Sequence, residues 1–373
     1  MAMNKNITSN KEITIFMPSL GGGGAEKIVI RLMKGFIDRG IGVSLLLATP
    51  HGNLHTEVPE NINVVHLNSS RTIFSIIKLI RYIRKNKPVN ILSHLDRANR
   101  VAILASLLAM RQTRVHIVVH NTMSVASKNY SPINKMLLKL SYRYLYPRAE
   151  NIVHVSKAAA KDLEEVFGNG KQKVKFIYNP IVDNNMINKE MPEAPHKWFS
   201  DDGVPVILAV GRLSAQKDYL TLLKSFSLVR KKINSRLIIL GEGEQRKTLE
   251  DEIRKNHLEG EVDLVGFVNN PFDFMRHADL FVLSSRWEAL PTVLVEAMAC
   301  GCPVVSTDCP SGPAEILENG KYGMLVPVRR PDLLADAIVE SLCSPIPFES
   351  LISRAKYFSV ERSVNEYMKL MNL

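Results

Sequence analysis

The chain has 373 residues, of which 46% are hydrophobic and 23% are charged. At roughly 150 residues per domain, this length predicts two globular domains with ample cores. No apolar run approaches the roughly 20 residues of a membrane-spanning helix. The N-terminus lacks the apolar core of a signal peptide, and four cysteines are too few for a disulfide framework. These features exclude a membrane-spanning, secreted, disulfide-stapled or disordered protein, and we expect a cytosolic one.

Positive charge is concentrated in the first half of the chain. The net charge is +11, and residues 1–185 contain 26 Lys and Arg against 11 Asp and Glu, whereas residues 186–373 contain 22 against 26. This asymmetry indicates that the first half faces an anionic partner, such as a membrane surface, a phosphorylated substrate or a nucleic acid.

Short β-branched runs alternate with amphipathic stretches along the chain, which predicts parallel sheets covered by helices. The strands predicted are Ile13–Pro18, Gly42–Ala48, Asn90–His94, Val115–Val119, Asn151–Val155 and Val174–Tyr178, then Val206–Val210, Leu237–Leu240, Val262–Val265, Asp279–Ser284, Pro303–Thr307 and Gly323–Val326. Prolines, paired aspartates and glycine over residues 184–203 are typical of a linker. We therefore predict two doubly wound Rossmann-like α/β domains, over residues 1–185 and 186–355, with ligands at the carboxyl ends of the strands.

A glycine-rich turn, Gly21–Glu26, follows the first strand and opens a helix over Ala25–Asp38. Glycines let backbone N–H groups approach a phosphate, and a helix N-terminus adds positive potential. The spacing is not that of a dinucleotide fingerprint, and no acidic residue ends the second strand, which argues against a dehydrogenase. A phosphate-binding turn and an ordinary strand–helix turn both remain open.

Polar residues also follow two later strands of the first half. His120 comes directly after Val115–Val119, and Asp96 and Asn99 follow Asn90–His94. Because polar side chains at the carboxyl ends of parallel strands point into the ligand crevice, His120 is a candidate site residue, with a structural histidine as the alternative. Asp96 and Asn99 are candidates for binding an acceptor.

In the second half, Gly211 and Arg212 end the first strand, and Lys217 lies five positions after Arg212. Two cations on a loop at the carboxyl end of a strand could clamp a diphosphate. The alternative is a pair of surface charges before a helix.

The segment SSRWEALPTVLVEAMACGCP holds two carboxylates at the start of a predicted short helix. Glu288 lies in the loop, and Glu296 lies about one turn into the helix that begins at Pro291 or Thr292. Carboxylates so placed can hydrogen-bond sugar hydroxyls beside a phosphate at the helix N-terminus. Nearby cysteines have no second pair or matched histidines for zinc, and no Asp-x-Asp occurs, so we predict no metal site.

Two basic segments of the first half are predicted to be amphipathic helices. Arg71–Lys87 combines Lys78, Arg81 and Arg84 with isoleucines and a phenylalanine, and a second segment repeats Lys135, Lys139 and Arg143 beside Met136, Leu137, Leu140 and Tyr144. Such helices suit an anionic lipid surface. The alternative is an ordinary surface helix whose apolar side faces the core.

Five motifs in order, GGGGAE, VGRLSAQKD, LGEGEQR, VGFV and WEALPTVLVEAMACGCPVVSTDCPSGPAEIL, resemble those of the retaining glycosyltransferases of family 4, which have the GT-B fold. The resemblance extends from about Ile13 to Ile338 and includes FSVERSVNEYMKL near the C-terminus. It implies an acceptor-binding N-terminal domain and a nucleotide-sugar-binding C-terminal domain facing a cleft, with the terminal helix over residues 356–373 crossing back onto the first domain.

By this resemblance, Arg212 and Lys217 would stabilise the departing diphosphate. Glu296 would hold the ribose hydroxyls, and Glu288 would contact the donor sugar. His120 would hydrogen-bond the transferred sugar at the reaction centre. The other implied donor-binding positions are Gly211, then Gly22, Gly23 and Gly24 over the diphosphate, Phe267 and Val268 near the base, and Leu290, Pro291 and Thr292 along the phosphates.

The resemblance further implies transfer with retention from a nucleoside-diphosphate sugar, most often a UDP-hexose or UDP-N-acetylhexosamine. The leaving phosphate would accept the acceptor proton, so neither a protein nucleophile nor a cofactor is required. The cationic first half favours a lipid-linked glycan acceptor at the inner face of the cell membrane, in polysaccharide or glycoconjugate assembly. The alternatives are a transferase for a soluble acceptor and a GT-B sugar-nucleotide epimerase. A nucleic-acid-binding protein would explain the positive charge, but it would leave Glu288 and Glu296 without a role. It also requires aromatic side chains among the cations on which bases can stack, and aromatic residues are only 7% of the chain. We therefore expect no nucleic-acid partner.

Overall fold

The computed structural model describes residues 12–21, 23–52, 54–120, 132–167, 174–187, 191–200 and 203–373. The chain divides into two compact units, one formed by Met1–Pro180 with Val360–Leu373 and the other by Ile181–Ser359. The division thus falls between Pro180 and Ile181, whereas the sequence analysis placed it between residues 185 and 186. No helix of the described residues is long and apolar enough to cross a membrane.

The first unit is built on a parallel sheet of seven strands in the described part of the chain, in the order β3-β2-β1-β4-β5-β6-β7. Their bounds are β1 Glu12–Met17, β2 Gly42–Leu47, β3 Asn63–His66, β4 Asn90–His94, β5 Arg114–Val119, β6 Asn151–His154 and β7 Lys175–Phe176. The reversal of strand order between β1 and β4 is where a doubly wound sheet binds ligands.

The helices of the first unit cover this sheet. They are α1 Gly24–Ile37, α2 Ile76–Asn86, α3 Asp96–Ala109, α4 Pro132–Leu140, α5 Lys157–Phe167 and α14 Val360–Met371, with shorter turns at His55–Glu57, Thr72–Ser75, Ser141–Leu145 and Tyr146–Arg148. The terminal helix α14 lies against α1, where a Cβ at Gly35 would come within 2.6 Å of Val364. Glycine at position 35 therefore permits the close approach of the two helices.

The second unit repeats the architecture with a parallel sheet of six strands among the described residues, in the order β10-β9-β8-β11-β12-β13. Its strands are β8 Val206–Val210, β9 Arg236–Leu240, β10 Val262–Gly266, β11 Leu280–Leu283, β12 Val304–Thr307 and β13 Met324–Val326. Its helices are α6 Asn184–Ile187, α7 Tyr219–Val229, α8 Arg246–Lys255, α9 Phe272–His277, α10 Thr292–Ala299, α11 Pro313–Ile316, α12 Pro331–Cys343 and α13 Phe348–Ala355, with turns at Lys197–Ser200 and Lys356–Phe358.

Apolar strand residues form the buried core of each unit, because parallel strands covered by helices on both faces exclude water from both sides. In the second unit, Ile207, Ile239 and Leu280 pack against Leu222 and Leu334 of the helices. The two parallel α/β sheets confirm the predicted pair of Rossmann-like domains.

Candidate functional site

The loops after β8 and β11 carry a buried ion pair at the carboxyl edge of the second sheet. Nζ of Lys217 lies 2.7 Å from Oε1 of Glu288, and the two side chains are 16% and 10% exposed. Oγ of Ser285 donates a second hydrogen bond of 2.7 Å to the same carboxylate oxygen. The sequence-predicted cation and carboxylate are therefore direct partners, although 71 positions separate them.

Several further hydrogen bonds join the two loops. Nε2 of Gln216 donates to the carbonyl oxygen of Trp287 at 2.9 Å, the backbone N–H of Arg286 donates to the carbonyl of Gln216 at 2.8 Å, and Oγ of Ser284 donates to the carbonyl of Lys217 at 2.7 Å. Because each of these bonds ends on a backbone carbonyl of the facing loop, the bonds hold the two loops together independently of the side-chain pairing of Lys217 and Glu288.

A second ion pair lies beside the first, between Asp218 and Arg286. NH2 of Arg286 is 2.7 Å from Oδ1 of Asp218, and the hydrogen bond that Arg286 donates to this carboxylate raises the pKa of the Arg286 side chain. Asp218 has a left-handed backbone conformation with φ of 51° at the start of α7, and its other oxygen accepts from Oγ1 of Thr221 at 2.9 Å. Hydrogen bonds of Gln216 and Asp218 thus hold the loop after β8 on both sides of Lys217.

Glycines allow the loops after β8 and β9 to pack backbone against backbone. A Cβ at Gly241 would overlap the carbonyl oxygen of Gly211, and φ of Gly241 is +139°. A Cβ at Gly211, where φ is +154°, would come within 2.9 Å of the Lys217 side chain. Glycine at position 211 therefore leaves the space through which Lys217 reaches Glu288.

Arg212 lies apart from the buried pair of Lys217 and Glu288. Its side chain is 75% exposed, and NH2 is 3.2 Å from Oε2 of Glu244. Two long exposed side chains of this kind attract each other only weakly, so Arg212 can exchange this partner for an anionic ligand at small cost.

Tyr219 brings a buried hydroxyl group close to Gly211 and the Lys217 side chain. A Cβ at Gly211 would lie 3.1 Å from this hydroxyl, which has no hydrogen-bond partner among the described residues. Burial raises the pKa of Tyr219 above its ordinary value, and the negative charge of Glu288 raises it further. The phenol therefore stays protonated.

The second predicted carboxylate, Glu296, is buried within α10. This helix begins at Thr292, one of the two predicted starts, with Pro291 at its N-cap. Leu290 is buried just before it, and a Cβ at Gly312 would come within 2.5 Å of Cδ of Pro291. The loop after β12 therefore supports the N-terminus of α10.

Phe267 and Val268 directly follow β10 on the same edge of the sheet. Phe267 is 69% exposed, whereas Val268 is half-buried. The backbone N–H of Gly241 donates to the carbonyl of Gly266 at 2.7 Å, which ties this loop to the one after β9. The loops after β8, β10 and β11 thus carry most of the predicted donor-binding residues.

In the first unit, Gly23 and Gly24 lie at the N-terminus of α1. Gly23 is the N-cap residue, so no side chain caps the first N–H groups of the helix from this position. A Cβ at Gly23 would come within 2.7 Å of Oε2 of Glu26. Gly22 lies outside the described residues.

His120 is paired with a second histidine that the sequence analysis did not single out. Nδ1 of His94, the last residue of β4, lies 3.0 Å from Nε2 of His120, which follows β5. Burial, followed by the charge of His154, lowers the pKa of His120 to about 3. Burial, followed by the charge of His120, holds the pKa of His94 well below its ordinary value. Both imidazoles are therefore neutral near neutral pH.

The structure places Asp96 and Asn99 differently from an open acceptor site. Oδ1 of Asp96 accepts hydrogen bonds of 3.0 Å from the hydroxyls of both Tyr142 and Tyr146. Asn99 is fully buried, and its Nδ2 donates to the carbonyl of Val118 at 2.9 Å. These contacts join α3 to the turns at Ser141–Leu145 and Tyr146–Arg148 and to β5. They therefore hold the end of β5, which His120 directly follows.

The first basic segment, formed by the turn at Thr72–Ser75 and helix α2, has exposed apolar and basic side chains together. Ile73, Phe74 and Ile77 are between 51% and 60% exposed, next to exposed Lys78 and Arg81. Nζ of Lys78 donates to the carbonyl of Asn68 at 2.8 Å, and Arg84 donates to the carbonyl of Leu108 at 3.0 Å, at the C-terminus of α3. The core-facing side chains of α2 are Leu79 and Ile83.

The second basic segment continues from α4 into the π-helical turn at Ser141–Leu145. Met136, Leu137, Leu140 and Tyr144 are all between 45% and 63% exposed, whereas Leu138, Tyr142 and Tyr146 are buried. The apolar side of the predicted amphipathic helix thus faces outward, together with Lys139 and Arg143. The side chain of Lys135 lies outside the described residues.

No group of three or more His, Cys, Asp or Glu within the described ranges could hold a metal ion. Cys300, Cys302 and Cys309 are buried free thiols.

Sequence reasoning missed His94, Ser285 and Tyr219. His94 carries the same signal as His120, a histidine at the carboxyl end of a strand. Ser285 and Tyr219 carry no such signal, because only the folding of two loops brings them to Lys217 and Glu288.

Comparisons with known families match both units. Residues 190–357 match the family described as glycosyl transferases group 1, and residues 22–184 match the family described as Glycosyltransferase Family 4. A Campylobacter jejuni N-acetylgalactosamine-N,N'-diacetylbacillosaminyl-diphospho-undecaprenol 4-alpha-N-acetylgalactosaminyltransferase is 32% identical over 331 residues, which cover 85% of this chain and 86% of that protein. An amylovoran biosynthesis glycosyltransferase from Erwinia amylovora is 26% identical over 302 residues, which cover 80% and 81% of the two chains.

Among solved structures, Anabaena HepE in complex with UDP-glucose superposes with a TM-score of 0.78 at 22% identity. The superposition covers 96% of this chain and 99% of HepE. This likeness shows the common fold.

Proposed function

Since the chain belongs to the family 4 glycosyltransferases, with the GT-B fold, we propose that it transfers a sugar from a nucleoside-diphosphate sugar to a glycan acceptor. The observation that carries the donor assignment is the buried pair of Lys217 and Glu288, whose loops also carry the exposed Arg212 and lead into the N-terminus of α10. Cations and helix N-termini stabilise a diphosphate, and carboxylates bind sugar hydroxyls. The UDP-glucose complex of HepE supports a UDP-sugar as the donor.

Within this site, Arg212 and Lys217 stabilise the negative charge that develops on the departing phosphate, Glu288 contacts the donor sugar, and Glu296 holds the ribose. Preorganised cations accelerate a reaction most when they stabilise charge that develops only in the transition state. We assign transfer with retention, in which the acceptor hydroxyl loses its proton to that phosphate on the face that the phosphate leaves. His120 hydrogen-bonds the transferred sugar, and no metal ion is required.

The acceptor is proposed to be a lipid-linked glycan in polysaccharide or glycoconjugate assembly. Support comes from the activities of the two relatives, one acting on a diphospho-undecaprenol-linked sugar and the other in amylovoran biosynthesis. The exposed apolar and basic side chains of α2 and α4 in the first unit also support an acceptor that is presented at a membrane.

The donor assignment is tested by a thermal-shift panel of UDP, GDP, ADP and TDP sugars, with and without magnesium. We expect one nucleotide to raise the melting temperature independently of magnesium. Glu296→Ala should abolish that shift, whereas the matched exposed variant Glu340→Ala on α12 should retain it. A shift that persists in Glu296→Ala would remove this residue from the site. Turnover of the nucleotide sugar without an acceptor would favour an epimerase.

The membrane assignment rests on apolar side chains that remain exposed beside cations. Ile73, Phe74 and Ile77 of the α2 region and Met136, Leu137 and Leu140 of α4 are each more than two-fifths exposed, in the half of the chain that carries the positive charge. Insertion of apolar side chains and attraction of Lys and Arg to anionic headgroups strengthen each other. The anionic leaflet is therefore the partner proposed for this face, at the cytoplasmic side of the membrane.

Sedimentation with liposomes distinguishes this face from the rest of the surface. The double variant Phe74→Ser with Ile77→Ser should lose binding to anionic vesicles, and Arg81→Gln with Lys139→Gln should weaken it in a salt-dependent manner. The control Lys247→Gln with Lys255→Gln, on α8 of the second unit, should bind like the parent. Equal sedimentation of all variants would discard the membrane contact.

A further inference from the structure

Two histidines from neighbouring strands share one proton position beside the predicted reaction centre. His94 ends β4 and His120 follows β5, and these strands are paired, with His94 opposite Val118. Nδ1 of His94 is 3.0 Å from Nε2 of His120, and the ring centroids are 5.3 Å apart with an interplanar angle of 34°. This distance is that of a hydrogen bond, so one of the two nitrogens carries hydrogen and the other accepts.

The surroundings of His94 decide which nitrogen donates. His94 is 1% exposed, and its other ring nitrogen, Nε2, has no hydrogen-bond partner among the described residues. If His120 donated through Nε2, neutral His94 would have to carry its own hydrogen on this buried, unpaired Nε2. If His94 donates through Nδ1, its Nε2 is only an unused acceptor. A buried N–H without an acceptor is the rarer and costlier defect, so His94 is the donor.

The geometry assigns His94 as a positioning residue that holds His120 in the neutral tautomer with hydrogen on Nδ1. This inference rests on the proposed function, in which His120 contacts the transferred sugar. Nδ1–H of His120 then donates a hydrogen bond to a hydroxyl oxygen of that sugar, whereas the opposite tautomer would offer only a lone pair.

The local backbone keeps both rings in place. Leu95, directly after His94, has φ of 73° and ψ of 139°, a conformation that a leucine adopts only where the surroundings enforce it. Nδ2 of Asn99 holds the carbonyl of Val118 two residues before His120. The conformation of Leu95 and the hydrogen bond from Asn99 thus position the two histidines independently of the bond between them, as preorganised sites require.

Nitrogen NMR of protein labelled at histidine reads the tautomer directly. We expect hydrogen on Nδ1 of His120 in the parent. His94→Asn places an amide donor at the position of Nδ1 and should preserve this state, whereas His94→Leu should yield a mixture or the opposite tautomer. The control His116→Asn changes another buried histidine of β5, which is bonded to Asn90 and Asn151, and should leave His120 unchanged.

Kinetics gives the second readout. His94→Leu should lower kcat by about 10- to 100-fold with little change in the KM of the donor, and His94→Asn should restore most of the rate. Hydrogen on Nε2 of His120 in the parent would overturn the inference, as would a His94→Leu variant with parental tautomer and rate. If His94→Leu does not fold, the nitrogen spectra of the parent and of His94→Asn still show which nitrogen of His120 carries hydrogen. If even the parent transfers no sugar, the proposed function fails while the NMR result stands.

Discussion

Nζ of Lys217 lies 2.7 Å from Oε1 of Glu288, and both side chains are largely buried. The cation proposed to meet the departing phosphate is therefore neutralised by the carboxylate proposed to meet the sugar. A buried pair in which one partner is removed leaves an uncompensated charge, which costs more than removing both. The two residues should consequently behave as one unit, in stability and in catalysis.

We expect Lys217→Met to lower kcat by about 100- to 1,000-fold and to reduce the free energy of unfolding by about 3 kcal/mol. The double variant Lys217→Met with Glu288→Gln should be more stable than Lys217→Met alone, because no unpaired charge remains buried. Urea unfolding of the single and double variants measures this coupling. Additive losses of stability in the double variant would contradict it.

Arg212 should respond differently, because its partner Glu244 is exposed. Glu244→Ala should change the affinity for the nucleotide sugar by less than about threefold, since an exposed pair contributes at most about 1 kcal/mol. Arg212→Ala should lower kcat/KM by about 10- to 100-fold, and Arg212→Lys should restore only part of it, because lysine cannot form the bidentate contact. A large effect of Glu244→Ala would instead make that carboxylate a member of the site.

The close approach of the loops after β8 and β9 predicts an intolerance to side chains at Gly241. Gly241→Ala would place a methyl group on the carbonyl oxygen of Gly211 at a positive φ, and we expect a loss of about 2–4 kcal/mol in the free energy of unfolding. Nucleotide-sugar binding should weaken as Arg212 and Lys217 shift. Gly260→Ala, where a Cβ would meet nothing within 4 Å, serves as the control and should melt like the parent.

Buried neutral histidines predict that the first unit loses stability in acid. Burial, with the positive charges of Arg114 and Lys175, lowers the pKa of His116 to about 4. The unfolded chain therefore binds this proton first as the pH falls through about 6.5, and the folded state is destabilised from there downward. His116 alone should contribute a loss of about 2 kcal/mol between about pH 7 and about pH 5.

The free energy of unfolding, measured at these two pH values, should decrease less in His116→Gln than in the parent. The variant His51→Gln, at an exposed histidine of the same unit, serves as the control and should keep the pH dependence of the parent. An unchanged slope in His116→Gln would show that this histidine is not neutral in the folded protein.

Periodicity located the regular structure closely. Asn90–His94 and Val206–Val210 were predicted at their observed bounds, and the first helix was displaced by only one residue at each end. Strand β3, Asn63–His66, was missed because it is a short edge strand with no fully buried side chain. Edge strands lack the continuous apolar run that identifies a buried parallel strand.

The amino-acid sequence by itself determined the two α/β domains, the family and most loops that carry the donor-site candidates, because these follow from local patterns and from motifs in a fixed order. Only the tertiary structure decided that Lys217 binds Glu288, that His120 is bonded to His94, and that Asp96 accepts from two buried tyrosines. It also decided that the apolar side of α4 faces outward. Such contacts join residues distant in the chain, and no local periodicity encodes which partner or which surface a side chain meets after folding.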